Sequence, residues 1–340
     1  MDAVDALNET AFWLERELAD SFKVQAFRRA AGIIAGLSQE ELSARVRDGR
    51  LKRTKGIGSR TLEVISQSLG GTVPGYLEDL RRRGAEPLVD GGHKLDAKLR
   101  GDLHSHSNWS DGGSPIEAMA AAARILGREY LALTDHSPSL KIANGLNAER
   151  LMEQLTVVDE INNEQQSGFQ LLAGIEVDIL EDGQLDQSAE MLSQLDVVVA
   201  SVHSKLRSDK RAMTRRMLAA IEDPHTNVLG HCTGRLVTGS RGTRPPSEFD
   251  AEKVFASCAE HSVAVEINSR PERQDPPEKL IQLALDAGCL FSIDSDAHAP
   301  GQLDFLQYGA ERADANGVPA DRIVTTWPVD RLLEWLQSKQ

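Results

Sequence analysis

The sequence predicts two domains of different class, an α/β barrel of parallel strands over residues 101–340 and a small all-α domain over residues 1–83. Residues 84–100 are rich in turn formers and predict a linker. From Gly101 onwards, short apolar runs alternate with helix-length segments about seven times. A repeated strand–helix order implies a parallel sheet with helical crossovers. Seven units over 240 residues favour a closed or nearly closed barrel, and an open doubly wound sheet is the alternative.

The N-terminal part shows helical spacing of apolar residues and no alternating stretch long enough for a strand. This spacing is clearest in residues 11–20, 24–37 and 61–69. Ser38 and Glu41 have the spacing of a capping box. Gly56 and Gly58 predict a tight turn before the next helix, and Pro74 predicts the first turn of a last helix that runs to residue 83.

The second part divides into strands and crossover helices. The predicted strands are 101–103, 130–134, 169–175, 196–202, 227–230, 263–267 and 289–293. The predicted helices between them are 114–127, 147–166, 209–221, 250–261 and 276–287.

Composition excludes several classes of protein. With 40% hydrophobic and 26% charged residues, the chain has the profile of a globular protein and not of a disordered one. No apolar run approaches the ~20 residues that cross a bilayer, and the acidic N-terminus does not resemble a signal peptide. Cys232, Cys258 and Cys289 are too far apart for a disulfide framework. We therefore expect a reduced, cytoplasmic protein without a membrane partner or an obligate protein partner.

Charge is distributed unevenly. Residues 1–100 carry 17 Lys and Arg against 15 Asp and Glu, whereas residues 101–340 carry 21 against 37. An acidic barrel repels nucleic acid at long range, and its carboxylates are available to bind cations. In the first part, seven basic residues lie between Arg45 and Arg60 with Asp48 as the one acid.

Almost every predicted strand of the barrel ends in a histidine or an acid. The C-terminal strand ends of a parallel barrel meet at one face, so these side chains are expected to converge. Mutual repulsion and desolvation would be costly there unless divalent cations compensated it. Nine imidazole and carboxylate ligands without a thiolate suit two or three ions of Zn, Mn or Fe. The nine candidates are His104, His106, Asp111, His136, Glu176, His203, His231, Asp296 and His298.

At these residues the chain resembles the PHP (polymerase and histidinol phosphatase) domain family. The resemblance covers residues 101–326 and rests on Gly-Asp-Leu-His104-Ser-His106, Asp111, Leu-Thr-Asp135-His136, Gly-Ile-Glu176-Val-Asp178, Ala-Ser-Val-His203, Leu-Gly-His231 and Asp294-Ser-Asp296-Ala-His298. It implies a distorted (β/α)7 barrel with a dinuclear or trinuclear metal site.

The resemblance also implies how the ligands are divided. One ion would be surrounded by His104, His106, Glu176 and Asp296. Glu176 would bridge to a second ion held by His203 and His231, and a third would be held by Asp111, His136 and His298. Some relatives have His in place of Asp111, and the harder carboxylate favours Mn there or weakens Zn.

Within this family, the chain is most similar to the C-terminal domain of bacterial family X DNA polymerases. Residues 133–146 and 230–236 carry this similarity, although the polymerases usually have Pro where Cys232 stands. Residues 8–83 are similar to the N-terminal helical domain of the same polymerases, including a helix-hairpin-helix at Thr54–Gly58. Residues 84–100 are too few for a polymerase catalytic domain, and the helix after the hairpin lacks the lysine of lyase-active relatives. We therefore expect neither polymerase nor lyase activity.

The hairpin predicts binding to a nucleic-acid backbone. Its glycines permit close approach, and the following helix offers N–H groups to a phosphate. Such contacts bind DNA without reading its sequence. The candidate residues are Lys52, Arg53, Lys55, Gly56, Gly58 and Arg60. The alternative is an inherited packing domain that does not bind DNA.

The leading functional hypothesis is metal-dependent phosphoester hydrolysis. Asp135, Asp178 and Asp294 are expected to orient histidine ligands or to move protons, whereas Arg235, Arg270 and Lys205 are candidates for holding the phosphate. The substrate is either DNA, for a 3′–5′ exonuclease or 3′-end phosphodiesterase in repair, or a small phosphomonoester such as histidinol phosphate or a nucleotide. The alternative to an enzyme is a non-catalytic accessory protein that binds DNA.

Overall fold

The computed structural model describes residues 1–164, 168–239 and 242–338. The chain divides into two compact units, Met1–Pro87 and Leu88–Gln340. The last two residues of the predicted helix 147–166 and the last two residues of the predicted barrel domain lie outside the described part.

The first unit is built of helices throughout its described length. Its core contains Leu7, Leu14, Phe27, Val64 and Leu77, all of them buried. The first helix begins well before the apolar pattern at residue 11, because the Asp2 carboxylate accepts hydrogen bonds from the helix's first amides. The helices are α1 (Ala3–Arg16), α2 (Ser21–Ile34), α3 (Gln39–Arg47), α4 (Arg50–Arg53), α5 (Ser59–Leu69) and α6 (Gly75–Gly84).

The predicted linker over residues 84–100 is wrong for most of its length. From Leu88 onwards these residues belong to the second unit and include the short helix α7 (His93–Asp96). Leu95 and Leu99 are buried in the core of that unit. The glycines that suggested a linker serve packing, since a Cβ on Gly92 would stand 2.5 Å from the backbone of Glu311.

The second unit is a seven-stranded parallel sheet whose strand order follows the sequence, β1-β2-β3-β4-β5-β6-β7. Just past the strand ends, a parallel bridge between Ser105 and Ala297 joins the first strand to the last. This order and this bridge confirm the barrel and exclude the doubly wound sheet. The strands are β1 (Gly101–Asp102), β2 (Tyr130–Leu133), β3 (Gln170–Asp178), β4 (Val197–Ser201), β5 (Val228–Leu229), β6 (Ala264–Asn268) and β7 (Phe291–Asp294).

Helices lie between the strands and after the last of them. They are α8 (Ile116–Ile125), α9 (Ala148–Glu164), α10 (Ala189–Leu192), α11 (Lys210–Ile221), α12 (Ala251–Glu260), α13 (Glu278–Asp286), α14 (Leu306–Ala315) and α15 (Val329–Gln337). Helices α8 to α13 connect consecutive strands, and α14 and α15 follow the last strand. The main core contains sheet residues such as Ile175 and Val265 together with helical residues such as Phe255. A smaller apolar cluster joins strand residues to Trp327 and Trp335 of the C-terminal segment. Among the described residues, every helix is too short or too polar to cross a bilayer.

Candidate metal centre

The nine predicted ligands gather at one end of the barrel. Strand β3 is longer than predicted, so that Glu176 lies within it, whereas the histidine ligands come just after the ends of β1, β2, β4, β5 and β7. Among the described residues, four overlapping groups have donor atoms that all lie within 4.8 Å of one another: His106, Asp111, His136 and His298; His104, Glu176 and His231; His104, His106 and Asp296; and His136, Glu176 and His203. The sequence-distant side chains therefore meet in one pocket, as a parallel barrel requires.

The first cluster consists of His104, His106, Glu176 and Asp296, and all four side chains are buried. His104 Nε2 lies 3.3 Å from Glu176 Oε2 and 4.0 Å from Asp296 Oδ1. His106 Nε2 lies 3.6 Å and 3.4 Å from the same two oxygens. These four donor atoms therefore surround a single enclosed position.

The second cluster consists of Glu176, His203 and His231. Glu176 Oε1 lies 3.2 Å from His203 Nε2 and 2.9 Å from His231 Nε2. The two oxygens of Glu176 thus face different imidazoles, which is the arrangement of a carboxylate that bridges two ions.

The third cluster consists of Asp111, His136 and His298. Asp111 Oδ1 lies 3.5 Å from His136 Nε2 and 3.4 Å from His298 Nε2. The Asp111 side chain is 35% exposed and that of His298 23% exposed, whereas Glu176 is 1% exposed. The third cluster is therefore the side of the centre that is most open to solvent.

Electrostatics within the pocket favour ionised carboxylates. Burial alone would raise the pKa of Glu176, but His104, His203 and His136 lower it well below its usual value. Asp296 behaves in the same way, because Arg273 and His104 outweigh the effect of burial on its pKa. The buried acids therefore remain negatively charged and attract cations.

The imidazoles are divided between charged and neutral forms. Burial and the neighbouring His298 and His136 lower the pKa of His106 to about 3. Burial also opposes protonation of His203, but Glu176 and Asp178 raise its pKa to about 9. Bound cations would replace protons on such a mixed set of rings.

Several nitrogen and oxygen atoms of the predicted ligands are buried without a hydrogen-bond partner. They are His104 Nε2, His106 Nε2, both oxygens of Glu176, His203 Nε2 and His231 Nε2. Buried polar atoms are normally satisfied, and leaving them unsatisfied is costly. Because these atoms point towards one another and combine imidazole with carboxylate, the residues present fit Zn, Mn or Fe.

Asp178 lies beside His203, where the sequence predicted an orienting acid. Its Oδ1 accepts a hydrogen bond from the backbone N–H of His203 at 3.0 Å and lies 3.5 Å from His203 Nδ1. A carboxylate on Nδ1 leaves Nε2 free to bind a metal.

Asp135 and Asp294 hydrogen-bond to groups other than the histidine ligands, and their roles in orienting ligands or moving protons stay predictions. The Asp135 carboxylate accepts hydrogen bonds from Ser107 and Gln154, so that it braces the loop after β1. Asp294 accepts hydrogen bonds from the backbone N–H of Leu103 and from Ser292. Neither carboxylate hydrogen-bonds to a predicted histidine ligand in the described structure.

The three predicted phosphate-binding cations have different surroundings. Arg270 lies at the third cluster, with Nη1 2.9 Å from His298 Nδ1 and Nη2 2.6 Å from Glu272. The guanidinium of Arg235 donates to the backbone carbonyls of residues 273 and 274, and its phosphate-binding role stays a prediction. Lys205 is 63% exposed, and its Nζ lies 4.0 Å from Glu181.

The sequence reasoning missed two buried charged residues that contact the ligands. Glu266 Oε1 lies 2.6 Å from His104 Nδ1. Arg273 Nε donates to Asp296 Oδ2 at 3.0 Å. Glu266 left a signal in the sequence, since it is an acid in the middle of the apolar strand 263–267. Arg273 lies in a loop, and nothing in its sequence context distinguishes it.

The predicted hairpin residues lie in the first unit, from the end of α4 to the first turn of α5. Lys52, Arg53, Lys55 and Arg60 are exposed. Gly56 has φ +96°, and a Cβ there would stand 2.8 Å from Ile33. Gly58 precedes α5, and its backbone N–H donates to Thr61 Oγ1 at 2.9 Å. Arg60 pairs with Glu63.

Comparison with solved structures gives a distant similarity. A histidinol phosphate phosphatase from Lactococcus lactis, solved with zinc, L-histidinol and phosphate, covers 71% of this chain and 92% of its own at a TM-score of 0.43 and 16% sequence identity.

Comparison of sequences gives nearer relatives. The chain is 38% identical over 216 residues to the DNA polymerase/3′-5′ exonuclease PolX of Bacillus subtilis, which is 64% of this chain and 37% of that protein. The chain thus spans little more than a third of PolX. It is also 28% identical over 249 residues to YcdX of Escherichia coli K12, named a probable phosphatase, which is 70% of this chain and 94% of that protein.

Residues 102–270 match the sequence model of the PHP domain. This match lies on the barrel and includes seven of the nine clustered ligands, from His104 to His231. It confirms the family that the strand-end motifs predicted. The chain belongs to the PHP family of metal-dependent phosphoester hydrolases.

Proposed function

We propose that this protein hydrolyses phosphodiester bonds at the 3′ ends of DNA strands, as a 3′–5′ exonuclease or a 3′-end phosphodiesterase in repair. The observation that carries the proposal is the combination within one chain of a barrel whose candidate metal ligands converge and a helical unit with a basic hairpin.

The metal part of the proposal rests on the three clusters. His104, His106, Glu176 and Asp296 would hold one ion, and Glu176, His203 and His231 would hold a second. Asp111, His136 and His298 would hold a third. Zn, Mn or Fe bound there would lower the pKa of a coordinated water and neutralise the phosphate oxygens.

The residues of the chain have separate tasks in this reaction. Glu176 links the first and second clusters, because one of its oxygens faces the first cluster and the other faces the second. Asp178 holds the ring of His203. The substrate phosphate approaches from the third cluster, where Asp111 and His298 reach solvent. Arg270 stands beside His298 and supplies positive charge on that side.

The first unit supports a DNA substrate. Lys52, Arg53 and Lys55 are exposed, and Gly58 opens α5 with no side chain of its own to occupy the first amides. A helix N-terminus with adjacent cations binds phosphate. The sequence similarity to PolX, whose name includes a 3′–5′ exonuclease, points in the same direction.

A small phosphomonoester is the second candidate substrate, and two observations favour it. The second unit contains most of the excess negative charge, with Glu181 and Asp182 exposed near Asp178. YcdX, named a probable phosphatase, matches over 94% of its length. A non-catalytic accessory protein is disfavoured, because the nine ligands are present and converge.

The decisive experiment is a substrate panel with the full chain, loaded in turn with Mn, Zn or Fe. The panel contains single-stranded DNA, duplexes with recessed or 3′-blocked ends, and small phosphomonoesters. We expect stepwise release of mononucleotides or of the 3′ blocking group, and loss of this activity in His203→Ala. Equal rates for the wild type and His203→Ala would overturn hydrolysis at this site, and turnover of phosphomonoesters alone would overturn the DNA substrate.

A further inference from the structure

Glu266 lies beneath the metal centre and contacts two predicted ligands that belong to different clusters. It is located in β6, the one strand that supplies no predicted ligand, and its side chain is fully buried. We propose that Glu266 is a positioning residue for ligands of both the first and the second cluster. Its loss would therefore release two ions and leave the third in place. This inference rests on the metal centre of the proposed function.

The two oxygens of Glu266 have separate partners. Oε1 lies 2.6 Å from Nδ1 of His104 in the first cluster. Oε2 accepts a hydrogen bond from the backbone N–H of His231, whose imidazole belongs to the second cluster. Glu266 thereby contacts the ring of His104 and the main chain of His231.

The contact with His104 determines which nitrogen of that ring faces the pocket. If His104 binds a metal through Nε2, which lies 3.3 Å from Glu176 Oε2, its remaining ring proton is on Nδ1. Glu266 Oε1 lies 2.6 Å from Nδ1 and is placed to accept that proton in a hydrogen bond. A carboxylate behind a histidine ligand fixes the tautomer and makes the ring a stronger ligand.

A second link extends from Glu266 to the remaining acid of the first cluster. Asn268 Nδ2 donates to Glu266 Oε2 at 3.2 Å and to Asp296 Oδ2 at 3.1 Å. Arg273 donates to the same oxygen of Asp296. Asp296 Oδ1 therefore remains free to face His106. His136 and His298 of the third cluster are not among the hydrogen-bond partners of Glu266 in the described structure.

The amide in Glu266→Gln has the same shape and cannot satisfy these partners. His104 Nδ1–H, the His231 N–H and Asn268 Nδ2 are all donors, whereas a glutamine offers an acceptor oxygen on one side and a donor NH₂ on the other. If the NH₂ faces His104, the ring proton moves to Nε2 and blocks coordination. If it faces His231, two donors oppose each other and the backbone of the second cluster shifts.

The test is the number and affinity of ions bound by the full chain. Metal content is measured after gel filtration, zinc affinity by competition with a chromophoric chelator, and ligand geometry by the visible spectrum of the cobalt-loaded protein. We expect the wild type to bind three ions. We expect Glu266→Gln to retain one, with the other two bound about 10- to 100-fold more weakly, and His298→Ala to retain two.

Two further variants separate positioning from folding. Asp275→Asn removes an equally buried carboxylate that bonds to Thr233 and to no proposed ligand, and it should retain all three ions. Glu266→Asp keeps the charge but cannot reach both partners, and an intermediate loss is expected even if Glu266→Gln does not fold. The melting temperature of the metal-free proteins shows which variants are folded.

The outcomes are distinguishable. Glu266→Gln or Glu266→Asp binding three ions with wild-type affinity and a wild-type cobalt spectrum would overturn the role of Glu266 while leaving the proposed function intact. Loss of a single ion would also overturn it. A wild type that binds no metal would overturn the proposed function itself.

Discussion

Asp178 accepts a hydrogen bond from the backbone N–H of His203 at 3.0 Å, and the same oxygen lies 3.5 Å from Nδ1 of the His203 ring. One carboxylate thus fixes both the main chain and the imidazole of a predicted ligand in the second cluster. Its neighbour two residues earlier, Glu176, faces the other nitrogen of the same ring at 3.2 Å. Two acids of strand β3 therefore contact His203, one at each ring nitrogen.

Replacing Asp178 with Asn is expected to weaken the second ion without removing it. The amide can present its NH₂ to His203 Nδ1 and favour the wrong tautomer, so metal affinity should fall about 10- to 100-fold. Zinc competition measures the change. Asp186→Asn, which alters an acid bonded to Ser139 in the segment after β3, is the control and should leave affinity unchanged. Wild-type affinity in Asp178→Asn would contradict the prediction.

Glu176→Gln is expected to abolish phosphoester hydrolysis and to release more than one ion. Oε2 of Glu176 faces the first cluster and lies 2.8 Å from His136 Nδ1, whereas Oε1 faces the second cluster. Removing the charge leaves five neighbouring histidines without an acid that they all contact. The loss of a buried ion-pair partner costs several kcal/mol. Metal content per chain is the measurement. Loss of one ion alone would show that Glu176 does not bridge.

Asp111→Asn is expected to affect the third cluster alone. Asp111 is partly exposed and contacts His136 and His298, so the first and second clusters should retain their ions. Activity should fall and be partly restored by a high manganese concentration, because the ion is bound more weakly but its other ligands remain. Release of all three ions by this change would contradict the division into clusters.

The double variant Lys52→Glu/Lys55→Glu is expected to weaken DNA binding and to leave hydrolysis of a small phosphomonoester unchanged. Both residues are exposed in the first unit and far in sequence from the barrel. Removing two phosphate contacts should also reduce the dependence of the binding constant on salt concentration. Fluorescence anisotropy with labelled DNA at several salt concentrations measures both effects. Lys94→Glu/Lys98→Glu, exposed in the second unit, is the matched control. An unchanged DNA affinity would favour the packing-domain alternative.

Leu99→Ala is expected to destabilise the second unit by about 2–5 kcal/mol, the range for truncating a buried leucine. Leu99 is 5% exposed and packs in the main core of the barrel. Chemical denaturation measures the change in the free energy of unfolding. A change below about 0.5 kcal/mol, as for a surface position, would restore the reading of residues 84–100 as a linker.

The barrel and the convergence of the ligands could be predicted from the sequence because both depend on local patterns. Apolar runs identify strands, and a histidine or acid at the end of each run identifies the face where they meet. The two oxygens of Glu176 face different rings, Oε2 towards His104 and Oε1 towards His231.

What could not be predicted depends on contacts between distant parts of the chain. Glu266 supports His104 across the inside of the barrel, and no spacing in the sequence connects the two. Asp135 follows the same strand-end pattern as the ligands but points towards Ser107 instead. In the sequence, Gly92 suggested a linker. In the structure, its lack of a side chain lets it pack against the backbone of Glu311.

The most direct test of the metal centre is anomalous diffraction from crystals of the full chain grown with manganese or zinc. We expect three anomalous peaks, with Glu176 between the first two and Asp111 at the third. A pocket without anomalous signal, in crystals where His104, Glu176, His203 and Asp296 are well ordered, would contradict it.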